Sequence, residues 1–216
     1  MISKKILLLH YLSCLLFLIG CNNTENTNGK TTKKTASKPI VIADKKNKII
    51  YLQPLGKIEF SRMNEVKEAV EKFFNFNCNI QKVIPLTEDI KTNDKRRYNA
   101  NKILKKFNSQ NNLLLITNED IAEERKGQSD WGVFGLGYRP GTTAVISTFR
   151  MKKNVTEEKI LERLKKVAIH EIGHNLGLDH CVNHPECLMH AAEGTIKQVD
   201  REKIWFCERC VNLLQR

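Results

Sequence analysis

The stretch "HEIGHNLGLDHCVNHPECLMH", residues 170–190, holds five of the chain's six histidines. It closes the most regular helical pattern in the sequence, "NVTEEKILERLKKVAIHEIGHNLG" (154–177). At about 100° per residue, Ile160, Leu161, Leu164, Val167, Ala168 and Ile172 fall on one arc of a helix. His170 and His174 fall about 40° apart at the edge of that arc. Two imidazoles are therefore expected to leave one side of a buried helix, at the lip of the core, where a cleft would lie. Asn154 is expected to cap the helix in a capping box with Glu157, and Gly177 to turn the chain back in a left-handed conformation.

A pair of histidines one helical turn apart suits a single zinc ion. After the Gly177 turn His180 can return as a third ligand. Three protein ligands leave the fourth position open, which is the catalytic rather than the structural arrangement. Glu171, next to the first ligand but on another bearing, is expected to act as general base on zinc-bound water that attacks a peptide carbonyl. A bare HExxH recurs by chance on amphipathic helices, where it is two solvated histidines. Adding Gly177 and His180 at their spacing makes the pattern far more specific.

Cys181 follows His180 directly and joins Cys187, Cys207 and Cys210 within 30 positions. The closing pair "CERC" lets two sulfurs address one tetrahedral ion, so these four thiols are expected to hold a second, structural zinc. Two disulfides are the competing reading, since an exported chain meets an oxidising compartment. His184 and His190 are left out of both sets, because loop histidines are usually solvated.

Taken together these residues resemble the archaemetzincins, a family of the metzincin clan of zinc metallopeptidases. The likeness lies in HExxHxxGxxHC at 170–181, then a cysteine, one residue, Met189, seventeen residues and CxxC. One departure exists: five residues separate Cys181 from Cys187 where the family pattern has four. The resemblance spans about residues 47–216 and is most specific over 170–210. It implies an α/β (α+β) metzincin-like fold: a mixed twisted sheet with packed helices, the active-site helix at the cleft floor, and a small zinc-stabilised C-terminal subdomain. It implies that Met189 forms the Met-turn beneath the catalytic zinc. It also implies that one strand within "WGVFGLGYRPGTTAVISTFRM" (131–151) pairs with an extended peptide substrate. No tyrosine follows Met189, so the transition-state role that some metzincins give such a residue has no candidate there.

The N-terminus reads as a targeting segment. Lys4 and Lys5 precede an apolar run that ends in "LIGC" (18–21), which resembles the lipobox of bacterial lipoproteins. Residues 1–20 would then be a lipoprotein signal peptide and Cys21 the lipidation site, holding the protein on a membrane by its acyl chains. An ordinary signal peptide or an uncleaved anchor is the alternative. Residues 21–46, rich in Asn, Thr and Lys, read as a flexible tether. The protein is expected to be an exported, membrane-anchored bacterial lipoprotein, facing the periplasm or the cell surface. Of the formal net charge of +12, residues 47–216 carry only +6. No nucleic-acid motif accompanies it, so no nucleic-acid partner is expected.

Within the folded part, residues 47–180 are expected to form the catalytic subdomain and 181–216 the C-terminal one. Strands are expected at 48–56, 80–86 and 112–117, the last buried on both faces, with two more around a turn at 139–141. Helices are expected from Ser61, as a cap, to Phe76, and over 96–108. Cys78 reads as a small buried hydrophobe, with a free or intermolecular thiol as alternative. "GLG" (135–137) lacks a following helix and is a strand feature, not a phosphate loop. Trp205 and Phe206 are expected to pack the C-terminal segment against the zinc helix. The expected function is a monomeric, membrane-anchored zinc metallopeptidase, endo- or aminopeptidase, acting on peptide or protein substrates with two zinc ions per chain. A metal-stabilised peptide-binding lipoprotein with little turnover is the other reading.

Overall fold

The computed structural model describes residues 48–125, 127–192 and 194–215. The leader, the lipidation site Cys21 and the tether lie outside the described residues. The chain opens with β1 (Ile49–Leu55), α1 (Phe60–Phe74) and β2 (Asn77–Ile80). Next come β3 (Tyr98–Asn99), α2 (Ala100–Lys106), β4 (Asn112–Thr117), β5 (Ile121–Arg125) and β6 (Gln128–Gly132). The remainder is β7 (Gly135–Gly137), β8 (Thr143–Ser147), α3 (Glu157–Asn175), α4 (Ile196–Arg201) and α5 (Glu208–Leu214). This is the mixed α/β architecture expected from the sequence.

The main sheet runs β2-β1-β4-β8-β7, parallel except for β7, which pairs antiparallel with β8 and forms an edge. Alternate side chains of a strand face opposite ways, and the sheet is covered on both sides. From β4, Leu114 and Ile116 join the core under α1 and α3, while Leu115 joins a second core with Ile103 and Leu104 of α2. That two-sided burial is why "NLLLIT" is a continuous apolar run rather than an alternating one.

Helix α1 buries Met63, Val66, Val70, Phe73 and Phe74, the stripe its spacing predicts. Three local expectations are corrected. Ser61 is not the cap of α1: the helix already includes Phe60, and Glu59 flanks it. Asn154 does not cap α3 either; it adopts φ 53° and Thr156 takes the flanking position. Glu157 is unavailable for a capping box because Arg62 holds its carboxylate by two hydrogen bonds of 2.7 and 2.9 Å, tying the starts of α1 and α3 together.

The strand expected at 80–86 is displaced to Asn77–Ile80. Beyond it only a single bridge between Leu55 and Ile84 remains, because Pro85 lacks an amide donor and Val83 points to solvent, 62% exposed. A small second sheet, β3-β5-β6, was not anticipated. Its strands are short and charged, "IAEER" in particular, and carry little apolar periodicity. This sheet nonetheless builds one wall of the cleft described next.

Candidate active site

Helix α3 is buried almost all round, with Ile160, Leu164, Val167, Ala168, Ile169 and Ile172 at 6% exposure or less. Its last two turns carry the metal-ligand pattern to the floor of an open cleft of about 340 Å³. Gly177, at φ 99°, reverses the chain just past the helix as its sequence position requires. The reversal returns His180 to the two helical histidines. One nitrogen from each of His170, His174 and His180 can be chosen so that all three lie within 4.8 Å of one another.

The tautomers follow from the backbone. His170 Nδ1 lies 2.6 Å from the Leu188 carbonyl and His174 Nδ1 lies 2.7 Å from the Leu178 carbonyl. A carbonyl only accepts, so both Nδ1 atoms carry the proton and both Nε2 atoms present a lone pair. Burial pushes His170 down to about 3 and His174 down to about 4, and lowers His180 as well. The three imidazoles are thus neutral at physiological pH, with lone pairs free to hold a metal. His174 Nε2 and His180 Nε2 are 3.2 Å apart, and two nitrogens held about 2.0–2.1 Å from one tetrahedral ion would be separated by about 3.3 Å.

Glu171 is buried at 6% exposure and lines the same cleft. Burial, reinforced by the charge of Glu123, pushes its carboxyl up to about 8. Its Oε2 is buried with no hydrogen-bond partner. A buried carboxylate oxygen without a donor, beside three converging lone pairs, fits a site completed by a cation and water. The close approach of strand β7 holds this carboxylate in place: a Cβ at Gly135 would come within 2.5 Å of Glu171 Oε1. The glycines of "GLG" are there because the strand lies against the glutamate.

Met189 is fully buried beneath the helix, its Sδ 2.5 Å from where a Cβ on Gly173 would stand. Gly173 immediately precedes His174, so the methionine supports the turn that carries both helical histidines. Phe206 presses on the same glycine from within the C-terminal segment and meets Phe73 edge to face at 4.9 Å. Trp205 shares that role, partly buried against the same core, and also meets the His184 ring edge to face at 4.9 Å.

Cys181, Cys187, Cys207 and Cys210 form the second convergence, all buried and all free thiols. Their sulfurs are separated by 3.5 Å (181 to 207), 3.8 Å (187 to 210) and 3.6 Å (207 to 210). Four sulfurs about 2.3 Å from a tetrahedral ion lie about 3.8 Å apart, whereas a disulfide needs about 2.05 Å. Hydrogen bonds from Cys210 and from the backbone of Cys207 and Met189 lower the Cys187 thiol, while burial and the neighbouring thiols raise Cys207 and Cys210. The extra residue between Cys181 and Cys187 falls in an exposed loop, with Val182 83% exposed, and leaves Cys187 fully buried in the cluster. His184 and His190 belong to neither group. Cys78 lies apart, buried at 2% and pushed up to about 12 by that burial, an inert thiol.

Pattern reading missed part of the cleft wall: Glu123, Arg125 and Trp131 from the small sheet, and Glu202 after α4. For Glu123 and Arg125 the charged end of "IAEER" shows no alternation and offered no signal. For Glu202 there was none either, since its burial depends on how α4 folds onto α3.

The sequence profile of peptidase family M54 matches residues 40–216. An archaemetzincin of Archaeoglobus fulgidus is 31% identical over 166 residues, covering 77% of this chain and 98% of that protein. An archaemetzincin of Haloarcula marismortui is 26% identical over 168 residues, covering 73% and 94%. Among solved structures, the Archaeoglobus fulgidus archaemetzincin complexed with malonate superposes with a TM-score of 0.67 at 32% identity, over 76% of this chain and 98% of that one. The Methanopyrus kandleri archaemetzincin gives a TM-score of 0.67 at 29% identity, over 79% and 95%.

Proposed function

The chain belongs to peptidase family M54, the archaemetzincins, and is a zinc-dependent metallopeptidase; from that premise we propose which residues do its chemistry and where. His170, His174 and His180 hold the catalytic zinc, and Glu171 is the general base. The observation that carries this reading is the convergence of three neutral imidazoles beside a buried carboxylate with an unpartnered oxygen. Bound there, zinc supplies a Lewis acid and lowers the pKa of water into the neutral range.

The protein's own part can be followed atom by atom. The carbonyls of Leu188 and Leu178 fix the rings of His170 and His174, so no reorganisation is needed when substrate arrives. An extended peptide adds to the free edge of β7, which places its backbone beside Glu171. Glu171 takes the proton from the attacking water and returns it to the departing amine nitrogen.

Cys181, Cys187, Cys207 and Cys210 hold a second zinc with no open position, making two per chain. The lipobox-like "LIGC" anchors the mature protein at Cys21, on the membrane of an exported compartment, with residues 21–46 as tether. The folded part, residues 47–180 and 181–216, works as a monomer.

Stripping metal from the full chain and following cleavage of an unbiased peptide library tests the assignment. Cleavage is expected to cease on removal and to return when zinc is added back. Cleavage that persists in metal-free protein would remove the basis for the site.

A further inference from the structure

The cleft carries one carboxylate for which the hydrolytic reaction has no use. Glu202 follows α4, lines the cleft and is 4% exposed. Its side chain receives one hydrogen bond, 3.3 Å from Gln198 Nε2. Among the described residues no lysine, arginine or histidine forms an ion pair with it, whereas the other charges of the wall, Glu171 of the catalytic group apart, are matched. Glu123 is paired with Arg125 at 2.7 Å, and Arg139 with Asp179 at 2.9 Å. Lys166 is the nearest basic influence on Glu202, but its ammonium is taken by Glu162 at 2.6 Å and by the carbonyls of Val199 and Asp200.

Burial without a basic partner disfavours the charged form of this carboxyl, and a cation that enters the cleft it faces would restore that form. The neighbouring wall is apolar: Val167, one turn before His170 on α3, with Val199 and Ala192. Methylene groups beside a carboxylate are the complement of an aliphatic chain that ends in a cation. Resting on the peptidase reading above, we propose that Glu202 is a specificity-determining carboxylate that receives a cationic group of the peptide. That group is a lysine or arginine side chain, or a free α-ammonium. Glu202 then selects which bond is brought to the zinc without taking part in breaking it.

The test uses the zinc-loaded full chain in detergent and hexapeptides through which lysine or its uncharged isostere norleucine is scanned. Each peptide is made with a free and with an acetylated N-terminus. Two readouts are taken: kcat/KM in the otherwise native protein, and binding to protein carrying Glu171→Gln. Wild type is expected to favour the cationic peptides on the order of tenfold or more, as for a truncated buried charge pair. Glu202→Gln is expected to lose that preference and Glu202→Asp to keep part of it, a pattern that general loss of folding would not produce. Lysine dependence in acetylated peptides identifies a side-chain partner, and dependence on the free terminus alone identifies the α-ammonium. Cleavage without any cation preference overturns the proposal and leaves the peptidase reading standing. Cation-dependent binding without cleavage does the reverse. An equal preference in wild type and Glu202→Gln also overturns it.

Discussion

Replacing Glu171 with glutamine is expected to lower kcat by about 10²–10⁴-fold, the range for loss of a positioned general base, with the zinc content unchanged. The substitution keeps shape and removes basicity. Glutamine's amide can still pack against Gly135, where the strand leaves room for nothing larger than hydrogen, but it cannot accept the proton of an attacking water. Because Glu171 is not among the three converging nitrogen donors, metal binding does not depend on it. Elemental analysis alongside steady-state kinetics checks both halves. A variant with full zinc and undiminished turnover would take the role of base away from Glu171.

The second large effect concerns folding. Cys207→Ser is expected to lower the zinc content by one ion per chain and to destabilise the fold by at least about 3 kcal/mol, given the size of structural zinc contributions. Denaturant unfolding measures the loss. Turnover should fall as well, for a reason visible in the backbone. Leu188, whose carbonyl orients His170, and Met189, which supports Gly173, both follow Cys187 directly. Cys181 adjoins His180 and donates its backbone N–H to the Met189 carbonyl at 2.7 Å. Freeing the thiolates therefore loosens two of the three histidines. A variant that loses one zinc yet keeps full stability and turnover would show the cysteine set to be incidental.

The parts legible in the sequence are those written in short-range spacing. Strand β4 reads directly because six apolar-rich residues bounded by polar ones need burial on both faces. The histidines read because an i, i+4 pair on a helix points one way whatever surrounds it, and Gly177 marks the only turn that can bring His180 back. The four cysteines read through "CERC" and their number. What could not be read depends on contacts between distant segments. Arg62 captures Glu157 across 95 positions and so cancels the capping box that local rules predict. The small sheet is built from short, charged strands whose pairing is decided by neighbours. Glu202 looks like one more surface acid in "DREK" until α4 is folded onto α3. Local pattern thus reports well which side chains converge, and poorly what walls them in.

The adjacent His180 and Cys181 express the main claim in two residues: one junction serves two ions, the first open to substrate and the second closed. X-ray absorption at the zinc edge, with elemental analysis of the full chain, tests this most directly. Two zincs per chain are predicted, one in a nitrogen and oxygen environment and one bound by four sulfurs. In His174→Ala the first signal should weaken while the all-sulfur signal stays whole. A single zinc per chain, with Cys181, Cys187, Cys207 and Cys210 oxidised to disulfides, would contradict the account.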